Sequence, residues 1–387
     1  MDIRKTTTPT AGTNGATLFA ALELSLKTWV VALRSTCSEK KVSLHEIPAR
    51  DQEALFRLID RARGELLQAG HREVEVLSCY EAGRDGFWLH RRLELRGVRN
   101  RVLDAATLSV SRRARRAKTD RLDVQLLLRE LMALTRGESD CREVRVPSEA
   151  DEDARRPVRE RDRLKHEQVA HVARIKSLLA LHGIVGYGPL RQDRRERLAM
   201  LRTASGAALP RNVAREIERE LDRLDLVMTQ LKEVEKERDA IVSGPPGEEA
   251  TVVKIQQLNR LRSIAQETAT KMGREMYQRT FATSRQVGGF LGLDGSPMRS
   301  GQMAREQGIS KRGNPQLRSS FIELAHRWVR HQPGSALTRW YLERLGAAKG
   351  AQKRKLIVAL ARKLAIALWR YLETGLMPEG ALLKAQA

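Results

Sequence analysis

The segment Glu73-Val-Glu-Val-Leu-Ser-Cys-Tyr-Glu-Ala-Gly83 decides the fold of the N-terminal region. Three of its residues alternate with their neighbours and therefore lie on one side of an extended chain: Val74, Val76 and Ser78. This alternation predicts a β-strand over 73–79. The strand leads into Glu81 and a turn that contains glycine, so a carboxylate follows the end of a buried strand.

Further elements are predicted on both sides of this strand. Apolar runs predict strands at Ala16–Leu24 and Trp29–Leu33 with a hairpin near 25–27, and a later strand at Val98–Leu103. Helical spacing predicts helices at about Asp51–Gln68, Phe87–Leu95 and Lys118–Leu134. Strands that come first and then alternate with helices indicate an α/β domain with a mixed sheet.

Four carboxylates of this region are candidates for one site. Glu23 ends the first predicted strand, Glu81 follows another, and Asp120 and Asp123 are three residues apart on one helix face. Acids at strand ends that face an acidic helix turn can hold two metal ions on a phosphodiester. The plain alternatives are a solvent-facing strand residue for Glu23, an acid at the start of a helix for Glu81, and a first-turn acid after a Thr119 cap for Asp120.

The charge of the chain indicates a polyanionic partner. Lys and Arg number 71 against 48 Asp and Glu, which gives a formal net charge of +23. A membrane surface would also attract this charge, but no apolar run approaches the ~18–20 residues of a spanning helix. The start of the chain has no signal-peptide core, and Cys37, Cys79 and Cys141 lack disulfide or zinc spacing, which is typical of a reducing cytoplasm. Nucleic acid is therefore the expected partner.

The C-terminal half is predicted to be mainly helical. From Ser148 the chain is rich in charges, with narrow apolar stripes on two helices that flank 183–212. Such stripes are typical of an antiparallel hairpin or an intermolecular coiled coil, and the first helix should become regular only after Pro157. Residues 250–387 are predicted to form a third, helical region with a basic Gly- and Ser-rich loop at 292–314.

That loop contains the second candidate site. It includes Met298-Arg-Ser-Gly301 and Gln307-Gly-Ile-Ser-Lys-Arg-Gly-Asn314. Glycine backbone and the cations Arg299, Lys311 and Arg312 can approach a phosphate closely. Ser300 could contact that phosphate or attack its phosphorus, and chemistry alone does not choose between these roles. Ser296 and Ser310 compete with it, and no phosphate-binding loop of the ATPase type occurs.

The chain resembles a family of bacterial transposases, those of the insertion sequence one-ten family, which pair a DEDD, RuvC-like nuclease domain with a serine-bearing domain. The resemblance covers about 16–380 and rests on these stretches: 21–25, 79–83, 112–123, 172–179, 285–293, 300–301, 308–314 and 359–364. It implies an RNase-H-like fold, a coiled-coil insertion and a helical serine domain.

The resemblance also implies an activity and its residues. Glu23, Glu81, Asp120 and Asp123 would be the acidic quartet that binds Mg²⁺, and Ser300 the nucleophile. The partners would be a structured guide (bridge) RNA, target and donor DNA, and further subunits in a homo-tetramer that combines acids of one subunit with the serine of another. Two features depart from the family: Glu23 stands where Asp is usual, and Gln302 follows Gly301 where a second glycine is common.

These observations together predict an RNA-guided DNA recombinase of the bacterial cytoplasm and nucleoid. The predicted parts are a disordered leader at 1–15, a RuvC-like domain at 16–145, a coiled coil at 146–248 and a serine domain at 249–387. Phosphates would bind these cations: Arg112, Arg113, Arg115, Arg116, Lys118, Arg121, Arg299, Lys311 and Arg312. The alternatives are a junction nuclease that uses water and metal, and a nucleic-acid-binding protein without catalysis.

Overall fold

The computed structural model describes residues 15–37, 42–108, 119–245, 249–300, 303–347 and 349–385. The chain forms two compact units, 1–147 and 148–387. Most of the predicted leader and the basic run at 111–118 lie outside the described residues. The predicted division into three folded parts stays a prediction.

A five-stranded mixed sheet forms the first unit. Its strands are β1 (Gly15–Leu24), β2 (Thr28–Ser35), β3 (Ser43–Pro48), β4 (Glu73–Glu81) and β5 (Arg99–Leu103), in the spatial order β3-β2-β1-β4-β5. β2 is antiparallel to β1 and β3, whereas β4 is parallel to β1 and β5. The predicted α/β class with a mixed sheet is confirmed. The mixed pattern follows from the short turn between β1 and β2, because parallel neighbours need a longer crossover.

Helices cover both faces of this sheet. α1 (Gln52–Gln68) and α2 (Trp88–Leu95) pack on one face, where they bury Leu55, Phe56 and Leu89 against β1 and β4. On the other face lies α3 (Asp120–Arg136), which buries Val124, Leu127, Leu128 and Leu131 against Phe19, Ala21, Leu77 and Cys79. Burial on both faces explains why β1 and β2 contain long apolar runs.

The second unit begins with a helical hairpin. Its helices are α4 (Glu149–Asp153), α5 (Arg156–Ala180), α6 (Arg194–Met200) and α7 (Arg211–Ser243). Leu164 packs with Leu231, and Leu179 packs with Ile217, so α5 and α7 run antiparallel within one chain. Of the two predicted arrangements, the structure shows the antiparallel hairpin. α5 starts one residue before Pro157, because the first turn of a helix does not need the missing N–H of proline.

The remainder of the second unit packs around a large apolar core. Its elements are α8 (Ala250–Asn259), α9 (Gln266–Met272), a π-helix (Gly273–Tyr277), α10 (Ser284–Leu291), β6 (Gly295–Ser300), β7 (Met303–Ile309), α11 (Pro315–His331), α12 (Ala336–Ala347) and α13 (Ala351–Thr374). Phe321, Trp328 and Leu364 are fully buried in the core.

One prediction for this region was wrong. The loop expected at 292–314 contains an antiparallel β-hairpin, in which Arg299 pairs with Ala304 and Ser300 with Met303. Glycine, proline and serine disfavour strands locally, but cross-strand hydrogen bonds can override that preference. We call the strand pair β6 and β7 the serine hairpin.

No helix in the described parts of the chain is both long and apolar enough to cross a membrane.

Candidate functional site

Glu23 and Glu81 lie at the carboxyl ends of two neighbouring parallel strands. The register of β1 and β4 pairs Leu22 with Tyr80, so each glutamate is the next residue along its strand. Side chains alternate between the faces of a strand. Because Ala21 and Cys79 pack under α3, both carboxylates project toward the α3 side of the sheet. The fold therefore brings these two predicted residues together.

A cavity of about 110 Å³ opens at this end of the sheet, and both glutamates line it. The turn after β4 supplies its other polar walls, Arg84 and Asp85. Asp85 is only 11% exposed and lies 3.9 Å from the guanidinium of Arg50. Asp85 was not predicted from the sequence as a site residue. The available indication was that an acid follows four residues after Glu81, in the turn after the strand.

Asp120 and Asp123 occupy the first turn of α3. The hydroxyl of Thr119 accepts a hydrogen bond from the N–H of Leu122 at 3.4 Å and so caps the helix, as the plain alternative for Asp120 predicted. Asp120 is exposed and Asp123 half-buried. Both acids also benefit from the positive end of the helix dipole.

The first turn of α3 is held at the same end of the sheet as the glutamates. Arg121 donates to Glu46 of β3 at 2.8 Å, and Glu46 is paired through Val30 of β2 with Glu23 of β1. These three strand residues form one row across the sheet. The acidic turn therefore lies over the row that contains Glu23, although α3 and β1 are separated by about a hundred residues of chain.

The donor set suits a hard divalent ion. Mg²⁺ typically takes one or two carboxylates and completes its shell with water and phosphate oxygens. Glu23 and Glu81 at a shared cavity provide such a pair and would hold the ion. Within the described residues, no group of three or more His, Cys, Asp or Glu side chains is arranged to hold a metal. Metal binding by Glu23, Glu81, Asp120 and Asp123 stays a prediction.

The serine hairpin is anchored firmly at its base. Ser310 N–H donates to Asp294 O at 2.7 Å, and Lys311 N–H donates to Gly292 O at 3.1 Å. Gly292 has φ +63°, and a β-carbon there would lie 2.7 Å from the backbone nitrogen of Gly313. The close approach of the two chain segments therefore requires glycine.

An ion pair connects this base to α13. Arg362 Nη2 lies 3.0 Å from Asp294 Oδ1, and Asp294 immediately precedes β6. Ser300 is the last residue of β6, and the exposed cations Lys311 and Arg312 follow β7. The structure thus places Ser300 at the far end of a strand whose start is fixed to the helical core.

The other predicted phosphate contacts fall in different places. The side chain of Arg121 is hydrogen-bonded to Glu46. Arg299 lies opposite Ala304 in the strand register of the serine hairpin. Five predicted contacts lie outside the described residues: Arg112, Arg113, Arg115, Arg116 and Lys118.

Comparison with known proteins gives the chain a family. The family model described as "Transposase IS116/IS110/IS902 family" matches residues 255–340, which include the serine hairpin. A protein of Sinorhizobium fredii named "Putative transposase y4rJ" is 42% identical over 374 residues, which cover 95% of this chain and 94% of that protein. The chain belongs to the IS116/IS110/IS902 transposase family. Membership in this transposase family supports DNA transposition as the activity, as the resemblance predicted.

Proposed function

We propose that this transposase is an RNA-guided DNA recombinase that cuts and exchanges DNA strands through Ser300. The observation that carries the proposal is the shared position of Glu23 and Glu81 at a cavity, beneath an acidic helix turn. The family membership and the placement of Ser300 on an anchored hairpin support the same conclusion. The acids lie in the first unit and the serine in the second.

The proposed step is a transesterification at phosphorus. The Ser300 oxygen forms a bond to phosphorus and its proton passes to solvent. The bond from phosphorus to the 3′ oxygen breaks, and that oxygen takes up a proton from solvent to give a 3′-hydroxyl. The number of phosphodiester-type bonds is unchanged, so the strand can be resealed onto a new partner without ATP. This agrees with a sequence that has no phosphate-binding loop of the ATPase type.

The acidic residues would position the DNA phosphate for this step. Glu23 and Glu81 would hold Mg²⁺, with Asp120 and Asp123 at the start of α3 as the further predicted ligands. Bound Mg²⁺ would polarise the scissile phosphate and stabilise the leaving oxygen. Glu23 is one methylene longer than the Asp that is usual in the family, so its carboxylate reaches farther from β1.

The remaining parts of the proposal rest on the family resemblance. They are a RuvC-like fold for the first unit, a coiled-coil role for the helical hairpin, a bridge RNA that pairs with target and donor DNA, and a homo-tetramer in the bacterial cytoplasm. The mixed five-stranded sheet is compatible with the first of these. Base pairing would then read the sequence while the protein contacts backbone and shape.

Covalent capture of DNA tests the role of Ser300. Purified protein is incubated with its RNA, donor and target duplexes and Mg²⁺, and adducts that survive denaturation are resolved by electrophoresis. We expect an adduct with the unaltered protein and none with Ser300→Ala. Ser296→Ala and Ser310→Ala are matched controls in the same segment and should retain the adduct.

Two outcomes would contradict the proposal. Full strand cleavage by Ser300→Ala, with no adduct in the unaltered protein, would favour the water-using metal nuclease. Binding of RNA and DNA without any Mg²⁺-dependent strand cleavage would favour the non-catalytic nucleic-acid-binding protein.

A further inference from the structure

A long segment of the C-terminal region carries positive charge without any acid. Residues 344–372 contain no Asp or Glu and eight cations: Arg344, Lys349, Lys353, Arg354, Lys355, Arg362, Lys363 and Arg370. Three of them fall at the start of α13, where the helix dipole disfavours positive charge. No acid at helical spacing offsets their mutual repulsion. This arrangement costs the isolated protein stability, and an anionic partner would relieve that cost.

Three of these cations form a stripe along the exposed side of α13. Lys355, Lys363 and Arg370 are spaced by eight and seven residues and lie outside the buried face that contains Leu360, Leu364 and Leu368. All three are exposed. We call them the cationic stripe. At the rise of an α-helix it extends for about 22 Å.

The stripe differs from the other arginine-rich part of the second unit. At the tip of the helical hairpin, Arg191 is paired with Asp193, Arg194 with Asp225, and Arg195 with both Asp222 and Asp225. The charges of those arginines are therefore neutralised by acids of the same chain. Among the described residues, no carboxylate lies within ion-pair distance of Lys355, Lys363 or Arg370, so the stripe is available to a partner.

An aromatic ring orders the middle cation of the stripe. The ammonium nitrogen of Lys363 lies 4.8 Å from the centre of the Trp340 ring, and the guanidinium carbon of Arg344 lies at the same distance. Cation–π contacts of this kind fix long side chains without neutralising them. A cation that is already ordered loses less conformational entropy when it binds a phosphate.

The stripe lies beside the anchor of the serine hairpin. Arg362 is the neighbour of Lys363 in α13. It forms an ion pair with Asp294, the residue that immediately precedes β6. A polyanion that follows the stripe would therefore pass the base of the hairpin that carries Ser300.

We infer that the cationic stripe binds the phosphate backbone of the duplex DNA on which Ser300 acts. The inference rests on the proposed function and adds a binding surface that the motifs of the sequence did not indicate. Three exposed cations that extend for about 22 Å along one helix suit the regular backbone of a duplex better than the irregular loops of a folded RNA. The contacts are to phosphate, so they should be insensitive to DNA sequence.

The salt dependence of DNA binding tests this assignment. The variant K355Q/K363Q/R370Q is compared with K165Q/K232Q/K236Q, which removes three exposed positive charges from the helical hairpin. Both are built on Ser300→Ala so that no chemistry takes part, and affinity for a duplex of arbitrary sequence is measured over a salt series. The stripe variant should lower the slope of log K against log salt by about 2.7, because each phosphate contact contributes about 0.9.

The variant K165Q/K232Q/K236Q in the helical hairpin should leave that slope unchanged, and thermal melting should show that both triple variants are folded. Equal slopes for the two triple variants would overturn the inference. A change seen only with the guide RNA, and absent with duplex DNA, would also overturn it. Failure of the proposed function would be visible separately, as a lack of Ser300 adduct in a protein with normal duplex binding.

Discussion

A β-carbon on Gly288 would lie 2.5 Å from Oδ1 of Asp294, so the position of the Asp294 side chain requires glycine at 288. The same β-carbon would lie 2.7 Å from Nε of Arg362. α10 therefore passes so close to the Asp294–Arg362 ion pair that only a bare backbone leaves space for it. The anchor of the serine hairpin thus depends on three elements: α10, the start of β6, and α13.

Gly288→Ala should displace this ion pair and disturb the serine hairpin. Overpacking of this kind costs roughly 1–3 kcal/mol, so the protein should remain folded while formation of the Ser300 adduct falls. Gly295→Ala is the matched control, since a β-carbon at the first residue of β6 would meet no atom within 4 Å. Equal adduct yields for the two variants would show that the ion pair does not position the hairpin.

Removal of either strand-end carboxylate should abolish strand cleavage. Glu23→Gln and Glu81→Gln keep the size of the side chain but remove its charge. We expect the rate of strand cleavage to fall by more than about 100-fold, since changing a residue that only hydrogen-bonds to a metal ligand typically costs about 10–100-fold. Cleavage is measured over a Mg²⁺ titration. Glu75→Gln on the same strand as Glu81, but paired with Arg99 at the far end, should behave like the unaltered protein.

Arg121 allows a test that separates pairing from phosphate binding. It is bonded to Glu46, and both side chains are more than half exposed, so this ion pair contributes roughly 0.2–1 kcal/mol. If Arg121 contacts phosphate as predicted, Arg121→Gln should weaken duplex binding, whereas Glu46→Gln should not weaken it. Equal losses of affinity in both variants would instead assign Arg121 to the placement of α3.

The helical hairpin should lose stability in acid through Glu220. Burial raises the pKa of this carboxyl, but hydrogen bonds from His171 at 2.7 Å and Arg174 at 3.0 Å outweigh burial and lower the pKa below its ordinary value. A lowered pKa means that the stabilisation is present above the pKa of the unfolded chain, near 4.3, and is lost as pH falls through the pKa of the folded protein.

Glu220→Gln should therefore destabilise the helical hairpin at neutral pH by roughly 1.5–3 kcal/mol, the range for hydrogen bonds to charged groups. The difference from the unaltered protein should shrink in acid, which denaturant unfolding at several pH values would measure. Glu218→Gln, exposed on the same helix, is the control. A difference that persists unchanged below pH ~4 would contradict this account of Glu220.

Thiol labelling should distinguish the three cysteines. Cys37 is exposed, whereas Cys79 and Cys141 are buried, and burial raises the pKa of the thiol in both. Cys79 Sγ also donates to Leu127 O of α3 at 3.5 Å. In the folded protein an alkylating reagent should modify Cys37 rapidly, and the other two should react only after unfolding, as mass spectrometry would show. Rapid modification of Cys79 would mean that α3 detaches readily from the sheet.

The sequence by itself determined most helices and strands of the first unit, but not β3. Alternation in 73–79 and the apolar run at 16–24 predict two strands, which the structure shows at Glu73–Glu81 and Gly15–Leu24, and Thr119 caps the start of α3. These features depend on neighbouring residues, which is why local patterns suffice. The sequence also predicted Glu23 and Glu81 at the ends of strands, although it did not show that these two strands are neighbours.

Only the tertiary structure decided which distant residues meet. β3 is polar and half-exposed, so its pairing with β2 left little trace in its composition. The serine hairpin exists because β6 and β7 bond to each other, and Asp85 reaches the cavity because of a turn after β4. Contacts between residues far apart in sequence depend on how packed elements are arranged, and no local preference encodes that arrangement.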